Sequence, residues 1–91
     1  MLIPKVPLKE FEKYGFKKCK GDYGKNDCYY LCVSRGVQMI FLSCMCYAIN
    51  PWKEDDPRIH AQPNCRYKDQ RTALDITYEL IKADMLKEDY E

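Results

Sequence analysis

The sequence predicts an α+β domain: a short N-terminal helix, a three-stranded antiparallel β-meander, a long loop and a C-terminal α-helix packed on the sheet. Three observations carry this expectation. Residues 28–34 and 37–47 are rich in Tyr, Val, Ile and Phe and are separated by Arg35-Gly36, a tight turn signal. Residues 70–86 repeat apolar side chains at helical spacing. The stretch 50–68 between them holds Pro51, Pro57 and Pro63 and breaks both patterns. A chain of 91 residues has room for one domain, spanning 1–91, with a thin core.

Each element follows from local chemistry. In LKEFEKYG, Leu8 and Phe11 share a side at i, i+3, and Gly15 tolerates the left-handed dihedrals that end many helices. This predicts two helical turns over about 8–14, with Phe16 folding back onto the last turn. Phe16–Lys20 is read as a first strand, followed by a turn-rich stretch over 21–27. Cys28–Ser34 is the middle strand, and Val37 to about Tyr47 the third.

The third strand places Val37, Met39 and Phe41 on one face and Ile40, Leu42, Cys44 and Cys46 on the other. An antiparallel sheet with one wet face normally alternates apolar and polar residues. Here both faces need a cover. The C-terminal helix supplies one; the N-terminal helix, the loop or a second copy of the chain supplies the other. An uncovered patch of that kind marks an interaction site, so a homodimer is expected.

In the C-terminal helix, Leu74, Tyr78, Ile81 and Met85 form the expected buried stripe, widened by Ile76, Leu80 and Ala83. Asp75, Glu79 and Lys82 mark the solvent face. Thr72-Ala73-Leu74-Asp75 reads as a capping box with Asp in the place of Glu, and Asp69 is an alternative cap.

The net charge of +1 favours neither nucleic acid nor an anionic membrane. Its distribution is uneven, because residues 1–35 carry eight basic side chains against four acidic ones. The longest apolar run, Val37 to Ile49, is interrupted by Gln38 and Ser43 and falls short of the roughly 20 residues of a membrane-spanning helix. No charged, apolar, small-residue leader follows Met1, which predicts a cytoplasmic chain whose six cysteines are reduced.

The sequence offers residues for four kinds of site. Cys28 and Cys32 sit four residues apart in one strand, so their Cα atoms lie about 13–14 Å apart and cannot share a zinc ion. Cys44, Cys46, His60 and Cys65 form the alternative metal set. A Cys–His nucleophile would depend on His60, the single histidine, and no local signature marks its partner thiol. The expectation is therefore a non-enzymatic protein without a cofactor. Nucleotide or nucleic-acid binding finds ingredients in Lys18, Lys20, Tyr23, Lys25 and Tyr30, where aromatics stack on bases and lysines track phosphates. Against it, Tyr29 fits a core face with Leu31 and Val33. Protein binding draws on the loop, where Trp52 lies among Arg58, His60, Arg66 and Arg71, the residue types that dominate interface energetics.

Three stretches, LKEFEKYGFKKCK (8–20), NPWKEDDPRIH (50–60) and NCRYKDQRTALDITYELI (64–81), resemble small uncharacterised proteins encoded by phages and prophages of Gram-positive bacteria. The resemblance carries no catalytic residues. It implies a bacterial host cytoplasm and a role in phage–host conflict, as an inhibitor of a host defence protein or a sponge for a signalling nucleotide.

Overall fold

The computed structural model describes residues 2–19, 28–33, 37–53, 55–59 and 71–88. In chain order the elements are strand β1 (Leu2–Pro4), a 3-10 helix (Leu8–Tyr14), strands β2 (Lys17–Lys18), β3 (Cys28–Val33), β4 (Gln38–Ser43) and β5 (Cys46–Pro51), helix α1 (Ala73–Lys82) and strand β6 (Leu86–Glu88). The α+β class is as the sequence predicts. The sheet has four antiparallel strands in the order β2-β3-β4-β5, and β1 pairs with β6 in a second, two-stranded sheet.

The expected third strand over 37–47 is in fact a hairpin. β4 turns at Cys44-Met45, and Ser43 pairs with Cys46. Two-residue hairpin loops usually advertise themselves with Asn-Gly or Asp-Gly, because their favoured forms need positive φ. Among the described non-glycine residues Asp84 alone has positive φ, so this turn closes without the residues that signal one. β4 thereby moves from the sheet edge to its centre beside β3. The edges are blunt: β2 is two exposed lysines, and β5 ends in Pro51, which has no N–H to offer a further strand.

Both helices end in the same device. After the 3-10 helix, Gly15 is left-handed at φ 93°. Its N–H bonds Glu12 O at 3.1 Å, and the Phe16 N–H bonds Phe11 O at 3.3 Å. After α1, Asp84 takes the left-handed position at φ 61°. Its N–H bonds Ile81 O, and the Met85 N–H bonds Leu80 O, both at 3.0 Å. These are Schellman motifs, each closed by an apolar contact across the turn. Phe16 meets Phe11 edge-on at 5.6 Å, while Met85 and Leu80 are buried in one cluster. The second motif stops α1 at Lys82, short of the expected 86, and turns the chain into β6. At the other end, the capping box forms as read: Asp75 N–H bonds Thr72 Oγ1 at 3.2 Å, and Thr72 N–H bonds Asp75 Oδ2 at 2.9 Å.

The sheet is buried on both faces. On one, Tyr29, Leu31, Val33, Ile40 and Leu42 pack with Phe11 and Phe16 from the 3-10 helix region and with Ala73, Ile76 and Leu80 from α1. On the other, Tyr30, Met39 and Phe41 pack with Cys19 and Ile59, with Trp52 partly buried against them. The two helices thus share a face, and the segment after β5 covers the second one.

The face that α1 buries matches the expectation only in part: Ile76, Leu80 and the following Met85 are buried as expected, and Ala83 is exposed. Ala73, Ile76, Thr77 and Leu80 point inward, whereas Leu74, Tyr78 and Ile81 are 73%, 63% and 46% exposed. The two stripes are offset by one residue, about 100° around the helix, so periodicity alone cannot choose between them. Thr77 decides the matter. Its hydroxyl donates to Ala73 O at 2.7 Å and meets the Tyr47 hydroxyl at 2.7 Å, so a polar residue is satisfied inside. Burial pushes the Tyr47 hydroxyl up to about 12, which keeps it neutral at physiological pH.

Two stability outcomes follow. Leu80→Ala is expected to cost about 2–5 kcal/mol in urea unfolding, because it opens a core cavity, whereas Ile81→Ala should cost under about 1 kcal/mol. Asp84→Gly should raise stability by roughly 0.5–1 kcal/mol by removing the left-handed penalty on a residue with a Cβ. That gain is net of the exposed Lys5–Asp84 ion pair, a contact of small worth. Asp84→Ala, which keeps the penalty, should give no gain.

Candidate functional site

The described chemistry outside the main core concentrates on the second sheet face, under the segment that follows β5. The Trp52 N–H bonds Val37 O at 3.0 Å and carries the ladder one step past Pro51. Two turns follow, with Asp56 N–H to Lys53 O and Ile59 N–H to Asp56 O, both at 3.3 Å. Asp-Pro-Arg sets the second turn: an aspartate side chain readily accepts from a backbone N–H two residues on.

Asp56 does this and more. Its carboxylate accepts from the Arg58 backbone N–H at 2.9 Å, from Nε at 3.0 Å and from Nη2 at 2.9 Å. The guanidinium hydrogen bonds hold the Asp56 carboxyl below its ordinary value, against the opposing effect of burial. The same bonds push Arg58 upward. The guanidinium carbon lies 3.6 Å from the centroid of the Phe41 ring, a cation–π contact with one face of an otherwise buried aromatic. Arg58 therefore acts as a clasp, and Ile59 is carried into the cluster formed by Tyr30, Met39 and Phe41.

Two features flank the clasp. On one side is an open pocket of about 430 Å³ lined by Met39, Asn50, Pro51, Lys53, Asp56 and Arg58. On the other, Cys19 and Cys28 face each other across β2 and β3. The register Lys17↔Tyr30 and Lys18↔Tyr29 continues to this pair, and the Cys19 N–H bonds Cys28 O at 2.8 Å. A hydrogen bond from the Cys19 thiol lowers Cys28 to about 7, with the Arg58 charge acting in the same direction. The same hydrogen bond, together with burial, pushes Cys19 well up.

Of the residues singled out in the loop, Trp52 is half-buried in the second cluster and Arg58 is held by Asp56 and Phe41. Arg71 makes an ion pair with Glu79 of α1, and His60 and Arg66 lie outside the described residues. Of the sheet-face set, Lys18 is exposed in β2, and Lys20, Tyr23 and Lys25 lie outside the described residues. Tyr30 is fully buried, which corrects its reading as a stacking surface: even residues of β3 point into the covered second face. Tyr29 belongs to the core with Leu31 and Val33, as the competing reading had it.

Cys44 and Cys46 are exposed free thiols at the β4–β5 turn. The other members of that metal set, His60 and Cys65, lie outside the described residues. Among the described residues no group of three or more His, Cys, Asp or Glu side chains could hold a metal ion. Cys32 is disulfide-bonded, its partner lying outside the described residues, which corrects the expectation of six reduced thiols. Its side chain is fully buried on the second face of β3.

Sequence reasoning missed the Cys19–Cys28 pairing and the Asp56–Arg58–Phe41 clasp. Both had signals. An antiparallel pairing of Phe16–Lys20 with Cys28–Ser34 sets 19 near 28, and Asp-Pro-Arg is a turn sequence that brings an acid and a base together. Among the described helices none is long and apolar enough to cross a membrane. No protein-family model, curated protein or solved structure matches the chain.

The clasp makes a pH-dependent prediction. A carboxyl depressed by folding contributes stability above its ordinary value of 3.8, and that contribution is lost as pH falls below it. Arg58→Ala is expected to cost about 2 kcal/mol at pH 7, discounted for the partial exposure of the guanidinium. In urea unfolding at pH 3 the gap between variant and wild type should narrow, because the pair is then weakening in the wild type as well.

Proposed function

We propose that this protein is a non-enzymatic binding protein that acts through protein–protein contacts made by the outer face of α1. The observation that carries the reading is the exposed stripe Leu74, Tyr78 and Ile81, at i, i+4 and i+7 on one helix face. Large apolar side chains at this spacing are how an amphipathic helix seats in a partner's groove. The stripe is held rigid from below, because Ala73, Ile76 and Leu80 anchor the same helix in the core. Tyr78 also carries Lys82 over its ring at 5.5 Å, and Arg71 and Glu79 flank the stripe as an ion pair. An apolar centre with a charged rim is the usual anatomy of a protein interface.

The partner is a host protein, on the resemblance to small phage and prophage proteins, and the site of action is a bacterial cytoplasm. A second copy of the chain is the competing occupant of the stripe. The second sheet face, which suggested a homodimer from sequence, is covered within the chain by Trp52 and Ile59.

Nucleotide binding is a second reading, favoured by the pocket that contains Lys53 and Arg58. It ranks lower because Asp56 already neutralises Arg58 and sets a carboxylate beside any phosphate.

The test is capture from a bacterial lysate by wild type, Leu74→Asp and Tyr78→Ser. Both variants should keep stability within about 0.5 kcal/mol, since the sites are exposed. Affinity for the captured protein should fall about thirtyfold or more, as for a buried aromatic anchor. Unchanged affinity in both variants would overturn the reading. Light scattering in which a wild-type dimer becomes a Leu74→Asp monomer would assign the stripe to a second copy instead. Salt-sensitive binding of a nucleotide, lost in Lys53→Ala, would favour the second reading.

A further inference from the structure

We propose that Cys19 and Cys28 form a dithiol site for thiol–disulfide exchange, in which Cys28 attacks a low-molecular-weight disulfide of the glutathione class and Cys19 resolves the product. The first support is register. The two residues are directly opposite on antiparallel strands, and the Cys19 N–H bonds Cys28 O at 2.8 Å. Opposed residues in a hydrogen-bonded antiparallel pair have Cα atoms about 5.5 Å apart. That spacing lies inside the range of about 4.4–6.8 Å that a disulfide spans. Closing a Cys19–Cys28 bond therefore asks only for a small local approach of the two Cβ atoms, from about 5 Å to about 4 Å.

The second support is the difference in access. Cys28 is half-buried at the edge of the second-face cluster, whereas Cys19 is 8% exposed and belongs to the cluster itself. The third is the charge environment: the Arg58 guanidinium favours the thiolate at both positions, opposed by the paired Asp56 carboxylate. With Cys28 lowered to about 7 and Cys19 raised, the accessible sulfur is the nucleophile and the shielded one waits. Cys44 and Cys46, exposed at the β4–β5 turn, belong to neither cluster.

The exchange proceeds in two displacements. The Cys28 thiolate attacks one sulfur of the small disulfide, that S–S bond breaks, and one small thiolate leaves. Cys19 then gives its proton to solvent, attacks the Cys28 sulfur and expels the second small thiolate. Two electrons pass from the protein dithiol to the small disulfide, which ends as two thiols, and the protein holds a Cys19–Cys28 disulfide. An excess of the small thiol reverses both steps.

The experiment uses full-length protein carrying Cys44→Ser and Cys46→Ser. It is incubated with oxidised glutathione, quenched by alkylation, digested and mapped by mass spectrometry. The expected product is a Cys19–Cys28 cross-link, reversed by reduced glutathione. Adding Cys19→Ser should trap glutathione on Cys28, and adding Cys28→Ser should slow glutathionylation at Cys19 at least about tenfold relative to Cys28. A second measurement needs no substitution at the pair: the alkylation rate of Cys28 against pH should have its midpoint near 7. A persistent Cys28–glutathione adduct with Cys19 present, or a midpoint at the ordinary thiol value of 9.0, would overturn the proposal.

Discussion

Everything in this fold answers to one constraint: β3 and β4 are apolar on both faces, and a short chain must cover both. Tyr29, Leu31, Val33, Ile40 and Leu42 demand one cover, and Tyr30, Met39 and Phe41 another. Burying a large apolar side chain contributes roughly 1.5–3 kcal/mol, so neither face can be left wet in a domain with so thin a core. The first cover is regular structure, two helices tied off by the same Schellman motif. The second is a run of turns that buries a few side chains and depends on a charged clasp to hold its shape. Arg58 suits that task because a planar guanidinium can bond a carboxylate edge and lie on an aromatic ring at once.

The way the first face is closed determines what is left outside. Ala73 and Thr77 lie on the buried side of α1, and the hydroxyls of Thr77 and Tyr47 satisfy each other there. A helix that buries Ala73, Ile76, Thr77 and Leu80 turns the neighbouring stripe outward. Leu74, Tyr78 and Ile81 are thus exposed because of how the core is built, and a surface of that kind is available for recognition at no further cost to the fold.

The cysteines divide by access in the same manner. Cys32 lies near the end of β3 on the covered face and is disulfide-bonded. Cys19 and Cys28 lie where β2 ends and the clasp's charge reaches them. Within β3, a buried Cys32 and a half-buried Cys28 therefore sit four residues apart. Reactivity in thiols follows thiolate character and exposure, and the fold assigns these differently along a single strand.

Much of the design was legible in the residues. The α+β class, the 3-10 helix with its Gly15 stop and Phe16 return, the Thr72–Asp75 capping box and the two-sided apolarity of the third strand all come from local pattern, because each depends on neighbours within about five positions. The β4–β5 turn and the terminal β1–β6 sheet left no local mark: Cys44-Met45 turns without a positive φ, and three-residue strands are too short to show a period. The candidate surfaces were hidden for a different reason. Which stripe of α1 goes inward, whether Tyr30 is covered and which cysteines meet are decided by pairs far apart in the chain, such as Thr77 with Tyr47 and Arg58 with Phe41. The sequence by itself determined that both faces of the sheet must be covered; the tertiary structure alone decided by what, because hydrophobic burial is non-directional and long-range partners choose among equally apolar faces.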